Sequence, residues 1–176
     1  MNDQQNVRQI RKAIDDTDDG ILELIELRIK LAGEMAAAKQ GDEGHSPLRP
    51  AREAAILERL RQRARSASAL LIEVIWRELI GQGRQAQGPM RLVLFSRADA
   101  WLIEECARRH FSSAIAVEWA ESREEALEAA CRYPVIAVLD AKVEDSGLTS
   151  LGELRTLTGA LVGFAYARVT SEANTP

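Results

Sequence analysis

The stretch VRQIRKAIDDTDDGILELIELRIKLAGEMAAAK, Val7 to Lys39, decides the architecture. It contains no proline and two glycines, Gly20 and Gly33. Its apolar residues recur at three- and four-residue spacing: Ile10, Ile14, Ile21, Leu24/Ile25, Leu31/Ala32 and Met35. That spacing predicts one long amphipathic helix. At about 1.5 Å per residue it would run roughly 50 Å, more than the diameter of a small domain. The rest of this half of the chain is too short to cover such a stripe, so a partner chain is implied.

The stripe also carries cations where a core helix should have none. Arg28 and Lys39 are eleven residues apart, and at about 100° per residue they return to within roughly 20° of one another. Both fall beside Ile25, Ala32 and Met35. Arg11, seventeen residues before Arg28, points to a face about 100° away. Lysine and arginine commonly snorkel to water from such positions. If they are buried instead, they need anionic partners, because an unpaired buried charge costs several kcal/mol.

Working outward, QGDEGHSPLRP after Lys39 holds two glycines and two prolines and predicts a loop. Pro50 suits the first turn of the next helix. AREAAILERLRQRARS continues it, with Ala54, Ile56/Leu57 and Leu60 inside. Ser66 or Ser68 caps a third helix, ASALLIEVIWRELIGQGRQAQ, with Leu71, Val74/Ile75 and Leu79 inside. The character of the chain changes at Gly88-Pro89. Three helices, the first far too long for a monomer, describe residues 1–88 as one subunit of an intertwined all-α dimer.

Net charge is −4, which leaves no basic field to recruit nucleic acid or anionic lipid. The 46% hydrophobic and 28% charged composition argues against disorder and for a soluble globular protein. MNDQQNVRQ lacks the apolar core of a signal peptide and no run is long enough to cross a membrane, so a cytoplasmic location is expected. Cys106 and Cys131 show neither a CxxC pair nor metal-ligand spacing and are expected to be reduced thiols. His45, in a loop, and His110, at a helix end, have no acidic or cysteine cluster around them and are assigned no chemistry. No metal site is expected.

IDDTDDGILELIELR, then LAGEMAAAK, a proline-containing loop, REAAILERL and IWRELIGQGRQAQ resemble the AroQ-type all-helical chorismate mutase domain, the kind often fused to a prephenate dehydratase. The resemblance covers Val7 to Gln87, with anchors on all three helices in the family's order. It implies an intramolecular isomerase of aromatic amino acid biosynthesis that converts chorismate to prephenate by a concerted [3,3] shift. No cofactor and no covalent intermediate is involved. The substrate is a dicarboxylate whose breaking ether oxygen gains negative charge, so its site needs planar cation clamps, a donor at that oxygen and an acceptor for the ring hydroxyl.

Carried over residue by residue, the resemblance implies that Arg28 clamps one carboxylate and that Arg11, from the other subunit, clamps another. Lys39 would contact a carboxylate and the ether oxygen, and Gln87 would be the second donor to that oxygen. Glu53 would bind the ring hydroxyl, supported by Arg52. Two positions depart from the pattern. Arg49 stands where some members have an Asp near the hydroxyl, and adds a possible anion contact. Gly83 stands where the family often has a Ser touching a carboxylate; it removes that hydroxyl and weakens the helix by up to about 1 kcal/mol.

Residues 89–176 alternate between apolar strand runs and helices: RLVLF, a helix from Asp99 to Arg109, IAVEW, a helix opened by the capping box Ser122-Arg-Glu-Glu125, VIAVL, a short helix Leu151 to Leu157, and ALVGFAYARV. That order predicts a small α/β domain with a mainly parallel sheet, making the whole chain an α+β multidomain protein. It has no GxGxxG and no phosphate loop, and Asp140 and Asp145 sit in a strand-end loop that turns the chain. The domain has a faint similarity to one lobe of a prephenate dehydratase, but the Thr-Arg-Phe signature of that enzyme is absent and the half is too short for two lobes. Nor is its pattern that of a βαββαβ regulatory domain. A regulatory, partner-contacting or stabilising role is left for it. Two readings compete with the mutase: an isochorismate pyruvate lyase on the same helical fold, and a helical dimer that binds a shikimate-pathway ligand or partner enzyme without turnover.

Overall fold

A proline-free run of good helix formers carries α1 unbroken from Asp3 to Ala38, 36 residues. The structure, a computed structural model, describes residues 3–38, 48–132 and 134–169. Pro50 at the first turn opens α2, Pro50–Arg63. The Ser68 hydroxyl accepts from the Leu71 N–H at 3.1 Å and caps α3, Ala69–Gln85. None of the 36 residues of α1 is buried. Ile25, Arg28, Ile29, Ala32 and Ala36 are half-covered along one stripe by α3. Ile10, Ile14, Ile21, Leu24, Leu31 and Met35 lie open, Leu24 at 67%. Within one chain the long helix thus has about half a core.

The inward face of α3 differs from the sequence expectation. Ile72, Ile80, Gly81, Gly83 and Arg84 are buried, whereas Leu70, Leu71, Val74 and Ile75 are exposed. On α2, Leu57 is buried and Ala54 is not. ALLIEVIWRELI is apolar on nearly every side, so period alone cannot say which stripe a neighbour will take. Here the neighbours are α1 on one side and the α/β half on the other.

That half is built on a five-stranded sheet of order β2-β1-β3-β5-β4, with β1 Arg91–Phe95, β2 Ala116–Trp119, β3 Val135–Leu139, β4 Thr149–Arg155 and β5 Leu161–Ala167. β2, β1 and β3 run parallel, while β5 is antiparallel to both β3 and β4. The sheet is therefore mixed, with the parallel part at one side. Period-two alternation sends Leu92, Leu94, Ile136 and Val138 to one face, under α4, Ala100–Phe111. Val93, Ala137 and Leu139 go to the other, under α5, Arg123–Ala130. All five residues of β3 are buried, as a central strand covered on both faces requires. Ser122 accepts from the Glu125 N–H at 3.1 Å and Glu125 reaches back to the Glu121 N–H at 2.7 Å, so the expected cap is present, one residue out on its return bond.

The expected helix Leu151 to Leu157 is instead strand β4 and the turn after it. Leu, Glu and Arg favour a helix locally, but a hairpin partner overrides them. Thr156 and Ala160 close the turn around Gly159, at φ +88°, and Gly152, at φ +119°, takes the register shift that a residue with a side chain would resist. Among the described residues no helix is long and apolar enough to cross a membrane, and Cys106 and Cys131 are free thiols.

Candidate active site

Near its C-terminal end α1 passes close to the last turns of α3, and the residues that meet there are polar. Arg28 is half-buried and its guanidinium donates to the Leu79 carbonyl of α3 by a short hydrogen bond. Burial lowers its pKa. Opposite lies Gly83, where a Cβ would stand 3.3 Å from the Ala32 Cβ and 3.6 Å from Arg28 Nη1. The missing side chain lets the two helices close on each other, and a Cβ here would crowd Ala32 while meeting Arg28 at ordinary contact distance. One turn on, just past the end of α3, Gln87 is exposed and its side-chain amide donates to the Gly83 carbonyl at 3.0 Å. Arg28 of α1 and Gly83 of α3 thus meet, with Gln87 tied to Gly83.

Of the other residues singled out in the sequence, Arg49, Arg52 and Glu53 lie at the start of α2 and Arg11 lies earlier on α1. Glu53, in the first turn of α2, has a side chain 19% exposed that pairs with Arg84 of α3 at 3.7 Å. Arg52 beside it is exposed. Arg49 is the N-cap of α2, and its carbonyl accepts from the Glu53 N–H at 2.9 Å. Arg11 is exposed on the same unbroken helix as Arg28, and seventeen residues put it about 25 Å away along the axis. No arginine side chain spans that distance, so the two cannot serve one pocket from the same chain. Lys39 and His45 lie outside the described residues. Among those residues no group of three or more His, Cys, Asp or Glu side chains could hold a metal ion.

Sequence reasoning missed Arg84. It is 4% exposed, donates to the Phe111 carbonyl at 3.3 Å and lies with its guanidinium carbon 5.8 Å from the Phe111 ring centre. Among the described residues its Nε and Nη1 have no hydrogen-bond partner. Burial lowers its pKa, with Glu53 opposing and Arg77 adding to the shift. The signal available was modest: Arg84 follows Ile80 by four residues and Arg77 by seven, on one helix face.

Arg84 also borders a cavity of about 360 Å³ between α2, α3 and the end of α4, lined in part by Glu53, Leu57, Arg77, His110 and Phe111. Burial first, then Arg77, Arg84 and Arg109, push the His110 imidazole down to about 3 from 6.5. Between those values the unfolded chain takes up a proton that the native state refuses. Stability is therefore full above about pH 6.5 and is lost as pH falls toward 3. Going from pH 7 to pH 5 should cost about 2 kcal/mol from this residue. Urea unfolding of the parent and of His110→Gln at both pH values measures it: the variant should lose less on acidification by about that amount, and equal losses would clear His110 of the effect.

The comparisons with known proteins agree with the helical geometry. Residues 10–88, a little under half of the chain, match the family Chorismate mutase type II, so this helical segment is similar to that family. No curated protein and no solved structure matches the chain.

Proposed function

We propose that the chorismate mutase type II domain at residues 10–88 rearranges chorismate to prephenate, as a step of aromatic amino acid biosynthesis and without a cofactor. The observation that supports this reading is Arg28 of α1 set against Leu79 and Gly83 of α3, inside the segment that matches the family. Residues 1–88 are the catalytic domain in this reading and 89–176 an appended α/β domain.

The chemistry assigns the roles. Breaking the ether bond while the new carbon–carbon bond forms requires the enolpyruvyl arm to be held over the ring, which converts lost freedom into rate. Arg28 grips one carboxylate, trading its bond to the Leu79 carbonyl for a charged partner. Lys39 and Gln87 donate to the ether oxygen as negative charge grows there. Glu53 accepts from the ring hydroxyl, with Arg52 in support, and Arg49 is near enough to the start of α2 to add an anion contact. Arg11 supplies the second carboxylate clamp in the pocket of a partner subunit. The open apolar face of α1, together with Leu70, Leu71, Val74 and Ile75 of α3, is the surface a second copy would cover in a homodimer.

Ultraviolet absorbance tests the reaction directly, since chorismate should disappear as prephenate appears. Pyruvate release from isochorismate would identify a lyase instead, and no turnover of either would leave a binding protein. The shared site has its own test. Arg11→Ala and Lys39→Ala proteins should each be nearly inactive alone. After subunit exchange about half of the dimers are mixed, and in each of these one pocket carries both lesions and the other neither. Roughly a quarter of parental activity should return. No recovery, with exchange verified independently, would overturn the shared-site assignment of Arg11 and leave the reaction standing.

A further inference from the structure

We propose that Arg84 is a positioning residue for Glu53, and that through it the α/β half helps to shape the reaction pocket. The proposal rests on the chorismate mutase reading above, in which Glu53 accepts the ring hydroxyl of the substrate.

Three observations carry it. Arg84 is a charged side chain sealed inside the protein at 4% exposure, and Glu53 is its carboxylate partner, at 3.7 Å. Burying an arginine costs several kcal/mol, so a residue held there without a full set of partners is held against a penalty. Among the described residues the set is incomplete: Nε and Nη1 find no partner, and the remaining Nη2 is divided between the Glu53 carboxylate and the Phe111 carbonyl. Finally, the Arg84 guanidinium faces the Phe111 ring, and Phe111 is the last residue of α4 in the α/β half.

A chain of contacts therefore runs from the end of α4, through Arg84 on α3, to Glu53 on α2. α3 is pinned to that end of α4 by further bonds. Glu78 accepts from the Ser112 hydroxyl and from the Ser113 N–H, both at 2.9 Å, and Arg77 donates to the His110 carbonyl at 3.2 Å. Glu53 is anchored on its backbone side by its N–H bond to the Arg49 carbonyl, and on its side-chain side by Arg84. At 3.7 Å the ion pair is loose enough to leave carboxylate lone pairs for a hydroxyl donor. Arg84 itself need not touch substrate; it fixes where the acceptor stands.

A ring-hydroxyl contact made alike in the ground state and the transition state lowers KM and leaves kcat nearly unchanged. That signature separates positioning from general loosening of the fold. Chorismate kinetics of the full chain are measured for the parent, Glu53→Gln, Arg84→Met and the double variant, with unfolding midpoints in parallel. Arg84→Met should raise KM about tenfold and change kcat by less than about threefold. In the Glu53→Gln background the same change should move KM by less than about twofold, because the group it positions is already altered. Arg84→Lys, which keeps the charge but loses the planar fork, should recover part of the KM. If Arg84→Met does not fold, the same cycle is run with Arg84→Lys, which should still raise KM when Glu53 is intact and not in the Glu53→Gln background. An unchanged KM in either Arg84 variant, or effects of Arg84 and Glu53 that multiply independently, would overturn the positioning role while leaving the reaction standing. No chorismate turnover by the parent would remove the reaction and the proposal together, and a Glu53→Gln protein with parental KM would remove Glu53 and Arg84 from the site but not the reaction.

Discussion

Replacing Arg28 by alanine should lower kcat/KM for chorismate by about a thousandfold, and Lys39→Ala should do the same, with the fold intact in both. Both cations are assigned to anionic parts of one substrate, and truncating one side of a desolvated charged contact costs about 2–5 kcal/mol. For Lys39 the loss should fall mainly in kcat, since the charge it meets grows only along the reaction. For Arg28 it should fall in KM as well, because the carboxylate is already ionised in the free substrate. Arg28 gives up a single bond to the Leu79 carbonyl when truncated, so the helix contact should survive. Kinetics with far-ultraviolet circular dichroism on each variant measure both parts. An Arg28→Ala protein within threefold of the parent would show that the α1–α3 contact is structural and that the pocket lies elsewhere.

The second large effect concerns Gly81. A Cβ at this position would fall 2.1 Å from the Ser112 Cβ, 2.6 Å from the Phe111 carbonyl oxygen and 2.8 Å from the Ser112 hydroxyl. A backbone atom is among these neighbours, so the clash cannot be relieved by swinging a flexible side chain away. By helix propensity alone Gly81→Ala should stabilise α3 by about 1 kcal/mol. Overpacking of this kind costs about 1–3 kcal/mol or more, and forcing α3 off the end of α4 also strains the Glu78–Ser112, Arg77–His110 and Arg84–Phe111 bonds. The net change should therefore be destabilising, and Gly81→Val more so, lowering the melting temperature by about 10 °C. Calorimetry reads the sign: a higher melting temperature for Gly81→Ala would mean that the two halves do not meet this closely.

Much of this arrangement was legible in the sequence where one signal dominated. α1 announced itself through length and a sustained period. Ser66 or Ser68, and Ser122, marked helix starts through their own hydrogen-bonding chemistry, with Ser68 the cap in the structure, and β3 stood out as a short apolar run with no polar face. Legibility ended where non-local partners decided. Leu151 to Leu157 carries helix-forming residues and became a strand because β5 pairs with it. On α3 two apolar stripes competed, and contacts with α1 and α4 selected the one through Ile72 and Ile80. At the candidate site, Arg28 could be placed on the right helix face by spacing, and Met35, counted on that face, proved exposed. Arg84 resembled any surface arginine near a helix end. What made it different was Phe111, twenty-seven residues away in the sequence, and no local pattern could report that.

The cover that α1 does receive comes late in the order of synthesis. Arg28 and the Leu79 carbonyl that it meets are fifty-one residues apart. At about 5–20 residues per second a ribosome needs roughly 3–10 s to make that interval. For those seconds the nascent chain holds out an apolar stripe as long as a small protein is wide, with nothing of its own to lay against it. Helices in proteins gain most of their stability from packing and not from propensity, so α1 should form and fray repeatedly while it waits. The same stripe that a second copy would cover in the finished molecule should make the unfinished one a target for chaperones.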